Sequence, residues 1–236
     1  MNNYFKLPRL YSTQPLSEKA DVLLTDNQSH YLRNVMRRKE EDLIRLFDGH
    51  NGEWLGKITA LSKKYTTVTL QEQLKQQPLE NRRVRFVFSP IKKHRMDWMI
   101  EKMVELGVTE FQPVLFQNTE VRKTNEDRMT TQIFEAAEQC ERFTIPTLHP
   151  LKKLDRFLGE DDFNGLNLAC LERFESSQRL DDVISEDVSF LIGPEGGFTE
   201  EEKNLIAQSM YAIDLGETIL RCETAAIKTL VLLTAS

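Results

Sequence analysis

The stretch Phe190–Glu202, FLIGPEGGFTEEE, joins an apolar segment to three glycines, one proline and a run of glutamates. A strand, a glycine-rich turn and a helix start are the usual parts of a phosphate cradle, because backbone N–H groups at a helix N-terminus point at an anion. The chain nevertheless places four glutamates around this loop, at positions 195 and 200–202. Their charge bears directly on which ligand the loop could hold.

The loop fits neither of the two common nucleotide-binding motifs. It lacks G-x-x-x-x-G-K-[ST], and GPEGGF lacks the spacing of G-x-G-x-x-G. Pro194 has no N–H to donate, and Glu195 adds a negative charge. Thr199 and Glu202 form an S/T-x-x-E capping box, which would occupy the helix-end donors. The loop therefore favours a ligand that is not a polyanion, such as S-adenosylmethionine with its sulfonium and amino groups. A tight turn whose glycines only permit positive φ is the alternative.

A second glycine loop lies in LGETILRCETAAIK, Leu215–Lys228. Leu215 and Gly216 follow an apolar segment, Arg221 comes just before a predicted helix, and Glu223 stands at the start of that helix. An arginine and a glutamate beside a strand-end glycine supply a fixed positive charge and a proton acceptor, which makes this loop the second candidate for chemistry.

The elements that must position both loops alternate between strand and helix. The alternation predicts a mostly parallel sheet covered by helices, in which ligands bind at the carboxyl ends of the strands. Both glycine loops lie at such ends. The predicted strands are RRVRFVFS, EFQPVLF, LNLAC, VSFLIG and AIDLG, and the predicted helices are MDWMIEKMVELG, one through Ile133 and Ala137, one from Thr199 and one from about Glu223. In the first of these helices Met96, Met99, Ile100, Met103 and Val104 share one face, and Gly107 ends it.

The first part of the chain is predicted to be a smaller, β-rich unit. ADVLLT, DLIRLFDG, EWLGKITAL and YTTVTLQEQL read as strands, and DGHNG contains two strong hairpin signals. Asp26 or Asn27 is predicted to cap a short helix through Tyr31 and Val35. KQQPLENRR is polar and contains a proline, as a linker does. The prediction is therefore one domain over residues 1–75 and a second over residues 81–236.

Charge is divided unevenly along the chain, whose overall net charge is −6. Residues 1–80 carry 12 Lys+Arg against 10 Asp+Glu, and the remainder carries 19 against 27. His30–Lys39 contains no acid, and neither does Arg82–Arg95, which has six Lys+Arg. Two acid-free clusters in an acidic protein are either solvated faces or nucleic-acid contacts.

The remaining composition is that of an ordinary globular protein of 236 residues. The N-terminal residues lack the apolar region of a signal peptide, and no apolar run reaches membrane-spanning length, so a cytoplasmic protein is expected. The three cysteines, Cys140, Cys170 and Cys222, are scattered and form no C-x-x-C pair. Neither a disulfide framework nor a zinc site is indicated, and reduced, buried thiols are expected.

Taken together, the blocks LIGPEGGFT, LGETILRCETAA, RMDWMIEKMVELGVTEFQPV, AAEQCER and HYLRNVMR resemble the ribosomal RNA small subunit methyltransferase E family. They stand in the family's order and cover nearly the whole chain. The resemblance implies a PUA-like RNA-binding β-barrel followed by an α/β methyltransferase domain with a deep trefoil knot of the SPOUT type. It further implies a homodimer that uses S-adenosylmethionine to methylate N3 of a uridine in small-subunit (16S) ribosomal RNA, as naked RNA or in the assembled subunit.

The resemblance also assigns roles to individual positions. The two loops would wrap the cofactor largely with backbone groups, and Leu171 would touch the adenine side. Arg221 is the candidate to stabilise the charge that spreads to O2 and O4 when uracil N3 loses its proton. Glu223 would orient Arg221 or accept that proton, or else would only favour the helix start. The expected cofactor-binding residues are Leu171, Gly193, Pro194, Glu195, Gly196, Gly197, Leu215, Gly216, Ile219, Leu220, Cys222 and Ala225.

A separate basic set is expected to meet RNA phosphates rather than bases. Glu138 and Arg142, in EQCER, would reach the active site from a neighbouring helix or subunit. The residues of the basic set are Arg9, His30, Arg33, Arg37 and Arg38.

The sequence also departs from the family pattern at several positions. Cys222 stands where threonine is usual, Glu141 replaces a small or basic residue, Glu217-Thr218 replaces Pro-Arg, and Asn118-Thr119-Glu120 replaces Glu-Arg-Ser. Two arginines that could contact RNA are therefore missing. These losses leave two alternatives: a ribosome-associated RNA-binding protein without catalysis, and a related knotted methyltransferase that acts on transfer RNA or on another ribosomal site.

Overall fold

The computed structural model describes residues 4–62, 65–79, 82–174, 177–179 and 187–234. The chain divides into two compact units, one of Met1–Leu79 with Ala137–Ile145 and one of Glu80–Ala136 with Pro146–Ser236. The end of the first run falls in the predicted linker. The sequence-based division at residues 75 and 81 assigns residues 137–145 to the second domain, whereas the structure groups them with the first unit.

The first unit is built on a five-stranded sheet with the order β1-β3-β4-β5-β2. β1 runs parallel to β3, and the other neighbours are antiparallel. On β5, Thr66, Val68 and Leu70 are buried while the threonines between them are less so, which is the period of two expected of a strand with one face in the core. The elements are a 3₁₀ turn (Tyr4–Lys6), β1 (Arg9–Tyr11), β2 (Asp21–Leu23), α1 (Asp26–His30), a π-helical turn (Tyr31–Val35), β3 (Leu43–Phe47), β4 (Glu53–Leu61) and β5 (Thr66–Lys75).

The short helix of this unit is capped one residue earlier than predicted. The side-chain oxygen of Thr25, not of Asp26 or Asn27, accepts a hydrogen bond from the Gln28 amide at 3.3 Å. Gln28 in turn accepts from the Thr25 amide at 3.2 Å, which completes a capping box. The T-x-x-Q spacing of Thr25 and Gln28 is the sequence signal for this cap, and the prediction of Asp26 or Asn27 missed it.

Residues 137–145 are fastened to the first unit by two buried arginines. Arg9 donates to the carbonyl oxygens of Ala137 and Arg142, both at 2.9 Å. Arg45 donates to Glu141 Oε1 at 2.7 Å. The backbone N–H of Tyr11 donates to Glu138 Oε1 at 2.8 Å. Because a three-residue strand such as β1 has almost no pattern of its own, neither β1 nor this attachment could be predicted from the sequence.

The second unit is an α/β layer built on a parallel sheet with the order β11-β13-β10-β12-β6-β7-β8, and β9 pairs with β7. Every pair of neighbouring strands is parallel. The predicted fold class, a mostly parallel sheet covered by helices beside a small β-rich unit, is confirmed. The trefoil knot stays a prediction of the resemblance. The elements are β6 (Val84–Phe88), α2 (Lys93–Glu105), β7 (Glu110–Leu115), α3 (Glu126–Gln139), β8 (Thr147–Leu148), β9 (Lys152–Lys153), α4 (Leu154–Glu160), β10 (Leu166–Cys170), β11 (Gln178–Arg179), β12 (Val188–Ile192), α5 (Glu200–Ala207), β13 (Tyr211–Asp214) and α6 (Cys222–Thr234).

The burial of the central strands explains why this sheet is parallel and covered by helices on both faces. All five residues of β6 and all five of β12 are buried, as expected of central parallel strands covered on both faces. α6 packs on β12 and on α2, and α4 packs on β7 and β9. The predicted apolar face of α2 is buried as a whole, and Gly107 just beyond the helix has φ +101°.

Candidate active site

A cavity of about 320 Å³ opens where three neighbouring strands of the parallel sheet end. Cys170 ends β10, Ile192 ends β12 and Asp214 ends β13, and all three line it. The carboxyl edge of a parallel sheet is the usual ligand site of such folds. The full lining is Cys170, Glu172, Arg173, Ile192, Gly193, Pro194, Gly197, Phe198, Lys203, Ile213, Asp214, Leu215, Gly216, Thr218, Ile219, Leu220, Cys222 and Ala225.

The glycine loop, Gly193–Gly197, forms one wall of the cavity. A Cβ on Gly193 would lie 2.3 Å from the ring of Phe198, so only glycine fits there without moving that ring. Gly197 has φ +71°, a conformation that side chains other than glycine's rarely adopt. Asn118 Nδ2 donates to the Gly197 carbonyl at 3.0 Å and so ties the loop to the residues after β7. The glycines therefore serve both turn geometry and close packing.

The predicted capping box closes the far end of this loop. Thr199 caps α5 and accepts from the Glu202 amide at 3.2 Å, while Glu202 Oε2 accepts from the Thr199 amide at 3.0 Å. Glu202 Oε1 accepts from the Gln117 amide at 2.7 Å as well. Both carboxylate oxygens of Glu202 are thus used for structure.

The arginine loop, Leu215–Cys222, forms the opposite wall. Gly216 has φ +111°, and its N–H donates to Asp214 Oδ1 at 3.0 Å. Lys228 Nζ donates to the Leu215 carbonyl at 2.6 Å. Cys222 donates its S–H to the Gly193 carbonyl at 3.3 Å, which joins the two loops across the cavity. The thiol at the place of the family's threonine therefore keeps a hydrogen bond to the glycine loop.

The thiols at this site are not nucleophiles. Burial, with smaller contributions from Glu195 and Glu223, raises the pKa of the Cys222 thiol to about 11. Burial likewise raises the pKa of Cys170 to about 12. Both therefore stay protonated at neutral pH, when only the thiolate would react. All three cysteines are free and half-buried, rather than fully buried as expected.

The cavity gathers nine of the twelve residues expected to bind a cofactor. Leu171 is instead part of the core, with no exposed surface. Gly196 packs against Asn118, and Glu195 turns to an ion pair with Arg95, so neither lines the cavity. The negative charge that Glu195 was expected to add to the loop is therefore paired with the Arg95 guanidinium, and a cofactor contact of Glu195 stays a prediction.

Sequence reasoning missed the other nine lining residues. Cys170 ends β10, and Glu172 and Arg173 follow it; β10 was recognised as a strand, so its carboxyl end could have been predicted to form a third wall. Phe198 and Lys203 carry no signal of their own, since they reach the cavity only through the turn into α5. The remaining four, Ile192, Ile213, Asp214 and Thr218, adjoin positions that were predicted.

The two catalytic candidates, Arg221 and Glu223, differ in their exposure to solvent. Arg221 is exposed, whereas Glu223 is 8% exposed. Among the described residues, Glu223 Oε2 has no hydrogen-bond partner, and the cation paired with it is Arg95, with Nη1 at 3.9 Å, not Arg221. The structure therefore does not show Glu223 orienting Arg221. A buried carboxylate oxygen without a donor is, however, free to accept a proton.

The basic residues of the first unit fall into two groups. His30 and Arg37 are exposed, and Arg33 is half-buried, with its Nη1 donating to the Ser62 carbonyl at 2.7 Å. Arg38 is also half-buried, and its Nε finds no partner among the described residues. These four lie on or just after one helical segment and can present a basic surface.

Arg9 does not belong with them. It is 6% exposed, and its Nε donates to Glu53 Oε1 at 2.6 Å. The assignment of Arg9 to the RNA surface is therefore wrong, because its guanidinium is buried and shared with a carboxylate and two carbonyl groups of the first unit. Glu138 and Arg142 also lie in the first unit, where Glu138 accepts from Tyr11 and Arg142 Nε donates to Thr144 at 3.1 Å.

Two absences hold for the part of the chain that the structure describes. No helix there is long and apolar enough to cross a membrane. No group of three or more His, Cys, Asp or Glu there could hold a metal ion.

Comparison with known proteins identifies the family. A model described as "RNA methyltransferase domain" matches residues 78–234, and one described as "RNA methyltransferase PUA domain" matches residues 24–71. The ribosomal RNA small subunit methyltransferase E of Rickettsia conorii is 34% identical over 94% of this chain and 93% of its own length. The chain belongs to the ribosomal RNA small subunit methyltransferase E family.

Solved structures of the family agree in fold over nearly the whole chain. The Neisseria gonorrhoeae enzyme of this family, crystallised with S-adenosylmethionine bound, is 30% identical with a TM-score of 0.84, over 95% of each chain. A Legionella pneumophila protein whose structure holds the same cofactor is 28% identical with a TM-score of 0.89, over 98% of each chain.

Within this family, the departures of the chain are explained in part by its structure. Thr119, where arginine is usual, is 3% exposed; its Oγ1 accepts from the Phe116 amide at 2.9 Å and lies 3.0 Å from Ser89 Oγ. It closes the turn after β7, a role that an arginine could not fill in the same space. Thr218, at the place of the second arginine, lines the cavity. Glu141 holds Arg45.

Proposed function

We propose that this protein transfers a methyl group from S-adenosylmethionine to N3 of a uridine in small-subunit (16S) ribosomal RNA. The observation that carries the proposal is the cavity at the carboxyl ends of β10, β12 and β13, lined by both glycine loops, in a chain of this family. The bound S-adenosylmethionine of the Neisseria gonorrhoeae enzyme supports the choice of cofactor.

The lining fits that cofactor group by group. A cavity of about 320 Å³ lies in the range of small-molecule sites. Ile192, Ile219 and Leu220 offer apolar surface for an adenine. The carboxylates of Glu172 and Asp214 suit the hydroxyl groups and the ammonium of the cofactor. The cationic side chains of Arg173 and Lys203 suit its carboxylate. When bound, S-adenosylmethionine supplies a methyl group on a positively charged sulfur, which a nucleophile displaces in line.

The residues of the chain must make uracil N3 into that nucleophile. N3 is a poor nucleophile until its proton leaves, and the resulting charge spreads to O2 and O4. Arg221, exposed on the arginine loop, is the residue assigned to stabilise that charge. Glu223, whose Oε2 lacks a donor among the described residues, is the acceptor assigned to the N3 proton. N3 then bonds to the methyl carbon, and the electron pair of the broken carbon–sulfur bond stays on sulfur.

The first unit is proposed to hold the RNA by its phosphates. His30, Arg33, Arg37 and Arg38 follow one another along an acid-free segment, and phosphate contacts of this kind position RNA without reading its sequence. We place the reaction in the cytoplasm, on small-subunit RNA either free or assembled with ribosomal proteins. Comparing methylation rates on naked RNA and on purified subunits decides between these substrates.

A homodimer is proposed to form through α2 and α6. These helices pack on each other, and each also exposes large apolar side chains: Trp98 is 44% exposed on α2, and Val231 and Leu232 are 42% and 40% exposed on α6. Exposed apolar surface of this kind favours association. Val231→Asp should turn a dimer into a monomer in analytical ultracentrifugation, and a wild-type monomer at micromolar concentration would contradict the proposal.

Mass spectrometry of small-subunit ribosomal RNA tests the reaction itself. RNA from cells with the gene deleted should lack one N3-methyluridine that wild-type RNA contains, and adding the purified protein with S-adenosylmethionine should restore it. An unchanged set of modified nucleosides would remove the proposal and leave an RNA-binding protein. A loss from transfer RNA or from another ribosomal position would reassign the substrate.

A further inference from the structure

Three charged side chains from three different elements meet beside the cavity. Arg95 lies in the first turn of α2, Glu195 lies in the glycine loop, and Glu223 lies in the first turn of α6. The Arg95 guanidinium forms an ion pair with Glu195, and its Nη1 lies 3.9 Å from Glu223 Oε2. One guanidinium therefore bridges the carboxylates of the two segments that line the cavity.

Burial makes the loss of one partner costlier in this bridge than in a surface ion pair. The side chains of Arg95 and Glu195 are each 23% exposed, and that of Glu223 is 11% exposed. Charges withdrawn from water are less screened, and removing one partner leaves the others uncompensated. Glu223 Oε2 would then be a nearly buried carboxylate oxygen with neither a hydrogen-bond donor nor a cation among the described residues.

The position of Arg95 in the first turn of α2 is also unfavourable for the stability of that helix. Lys92, Lys93, His94 and Arg95 crowd the start of α2, whose first turn has no acid and no side-chain cap. Cations are unfavourable at a helix N-terminus, because the helix dipole is positive there. The two carboxylates that Arg95 meets come from outside the helix, so the arrangement serves those loops rather than α2.

The bridge lies close enough to the cavity to act on it. Cys222 lines the cavity, and the charges of Glu195, Glu223 and Arg95 contribute to the pKa of its thiol. The charged groups that the structure places near Glu223 are Arg95 from α2, at 3.9 Å, and Glu195 from the glycine loop, which pairs with the same guanidinium. Of these, Arg95 is the cation in ion-pair contact with its carboxylate.

We propose that Arg95 is a positioning residue for methyl transfer, which joins the glycine loop to the start of α6 and supplies the counter-charge that holds the Glu223 carboxylate in place as the acceptor of the N3 proton. This inference rests on the proposed function and adds a residue outside both loops. Arg95 needs to touch neither the cofactor nor the uracil. Its effect on the rate passes through Glu223.

The test measures single-turnover methylation from pH 5 to pH 9 with saturating RNA and cofactor. Arg95→Met should lower the rate about 10- to 100-fold near neutral pH and move the acidic limb of the profile to higher pH, because Glu223 loses its cation and holds its proton more tightly. Arg95→Lys should recover part of the rate, since an ammonium keeps the charge but cannot span both carboxylates. Glu223→Gln should abolish the limb.

Arg128→Met is the matched control. Arg128 pairs with Asp97, which lies on the same helix as Arg95. This control removes an arginine–carboxylate pair of α2 without touching the cavity, and its rate and profile should match wild type. Arg95→Lys carries the test if Arg95→Met fails to fold.

Two results would overturn the proposal. One is a lower rate in the Arg95 variants with an unmoved acidic limb, which would leave Arg95 a purely structural role. The other is an acidic limb that persists in Glu223→Gln. A wild-type protein that binds no S-adenosylmethionine would instead end the proposed function, and this inference with it, before any variant is compared.

Discussion

Arg9 and Glu53 form a buried ion pair in the first unit, with Arg9 Nε 2.6 Å from Glu53 Oε1 and both side chains 2% exposed. Arg45 Nη1 lies 3.4 Å from the same oxygen and is almost equally buried. One carboxylate thus compensates two guanidinium groups, and burial lowers the pKa of Arg9 despite the Glu53 carboxylate, which opposes it. The unit depends on this carboxylate because it forms the ion pair of the buried Arg9 and shares the buried Arg45 with Glu141.

Glu53→Gln should therefore destabilise the first unit strongly. Leaving the buried Arg9 guanidinium without an ion-pair partner, and Arg45 with Glu141 alone, is expected to cost about 3–5 kcal/mol. Trp54, 9% exposed on β4, reports on this unit, and a Trp98→Phe background isolates its fluorescence during urea unfolding. The control is Glu18→Gln, whose partner Lys19 is exposed and whose loss should cost less than about 0.5 kcal/mol. Equal effects of the two changes would refute this account.

The protein should bind S-adenosylmethionine and its demethylated product, but not ATP or NAD, in titration calorimetry. Gly193→Ala should weaken that binding at least tenfold, because the new Cβ would lie 2.3 Å from the Phe198 ring, which lines the cavity. Gly159→Ala is the matched control, since a Cβ there meets nothing within 4 Å. No heat of binding with folded wild-type protein would remove the enzyme interpretation.

Charge reversal of Arg33 and Arg37 should weaken RNA binding and reduce its salt dependence. Each lost phosphate contact should lower the slope of log affinity against log salt by roughly one. Lys6→Glu with Lys19→Glu makes the same charge change on exposed positions outside the acid-free segment and should have a smaller effect. Affinity for the cofactor should stay constant in both pairs. RNA binding that is unchanged in the Arg33 and Arg37 variant would move the RNA surface elsewhere.

Arg221→Ala should lower kcat by about 10²- to 10³-fold, the scale for removing one donor to a developing negative charge. Cofactor affinity should fall much less. Arg221→Lys should recover only part of the loss, since an ammonium lacks the planar fork of the guanidinium. Higher pH should partly rescue the alanine variant, because hydroxide then removes the N3 proton. A wild-type single-turnover rate at saturation would mean that Arg221 only binds RNA or holds its loop.

Stability of the second unit should fall in acid because of Glu110. A hydrogen bond with His149, and further help from Arg83, lower the pKa of Glu110 from 4.5 to about 2 in the folded protein, against an opposing effect of burial. A carboxyl group with a depressed folded pKa contributes stability above its unfolded pKa and loses it as pH falls, here between about 4.5 and 2. The contribution is on the order of 1–3 kcal/mol.

Urea unfolding checks this between pH 3 and pH 6. Trp98 fluorescence in a Trp54→Phe background follows the second unit, since the chain has only these two tryptophans. Glu110→Gln should be less stable than wild type at pH 6, and the difference should shrink by about half at pH 3, which lies between the unfolded and the folded pKa of Glu110. A difference between the two proteins that stays constant with pH would exclude Glu110 as the source.

Much of the second unit could be predicted because its pattern is local. The apolar face of α2 and the capping box at Thr199 and Glu202 depend on residues within a turn or two of each other. The glycine loops could be located as strand ends for the same reason. The side chains that these loops contact could not be predicted. The direction of the Glu195 side chain, for example, depends on Arg95, a hundred positions earlier in the chain.

Arg9 shows the same limit for charge. Its type and its neighbourhood are typical of an RNA contact, and only the partner Glu53 on β4 and the carbonyl groups of residues 137 and 142 show that it is a core residue. Sequence reasoning treats an arginine as exposed unless a nearby acid suggests otherwise. Here the partners are brought together by pairing of strands and by a distant segment.

The return of residues 137–145 to the first unit sets an order of events during synthesis. A domain made of one continuous stretch can fold as soon as it leaves the ribosome. In this chain, two of the three side-chain hydrogen bonds of Arg9 and the Glu141 partner of Arg45 form with residues that emerge only after β6, α2, β7 and most of α3 have been translated. Until then, part of the buried polar network of the N-terminal unit lacks its hydrogen-bond partners. A nascent chain arrested before residue 145 should therefore remain sensitive to protease in that unit.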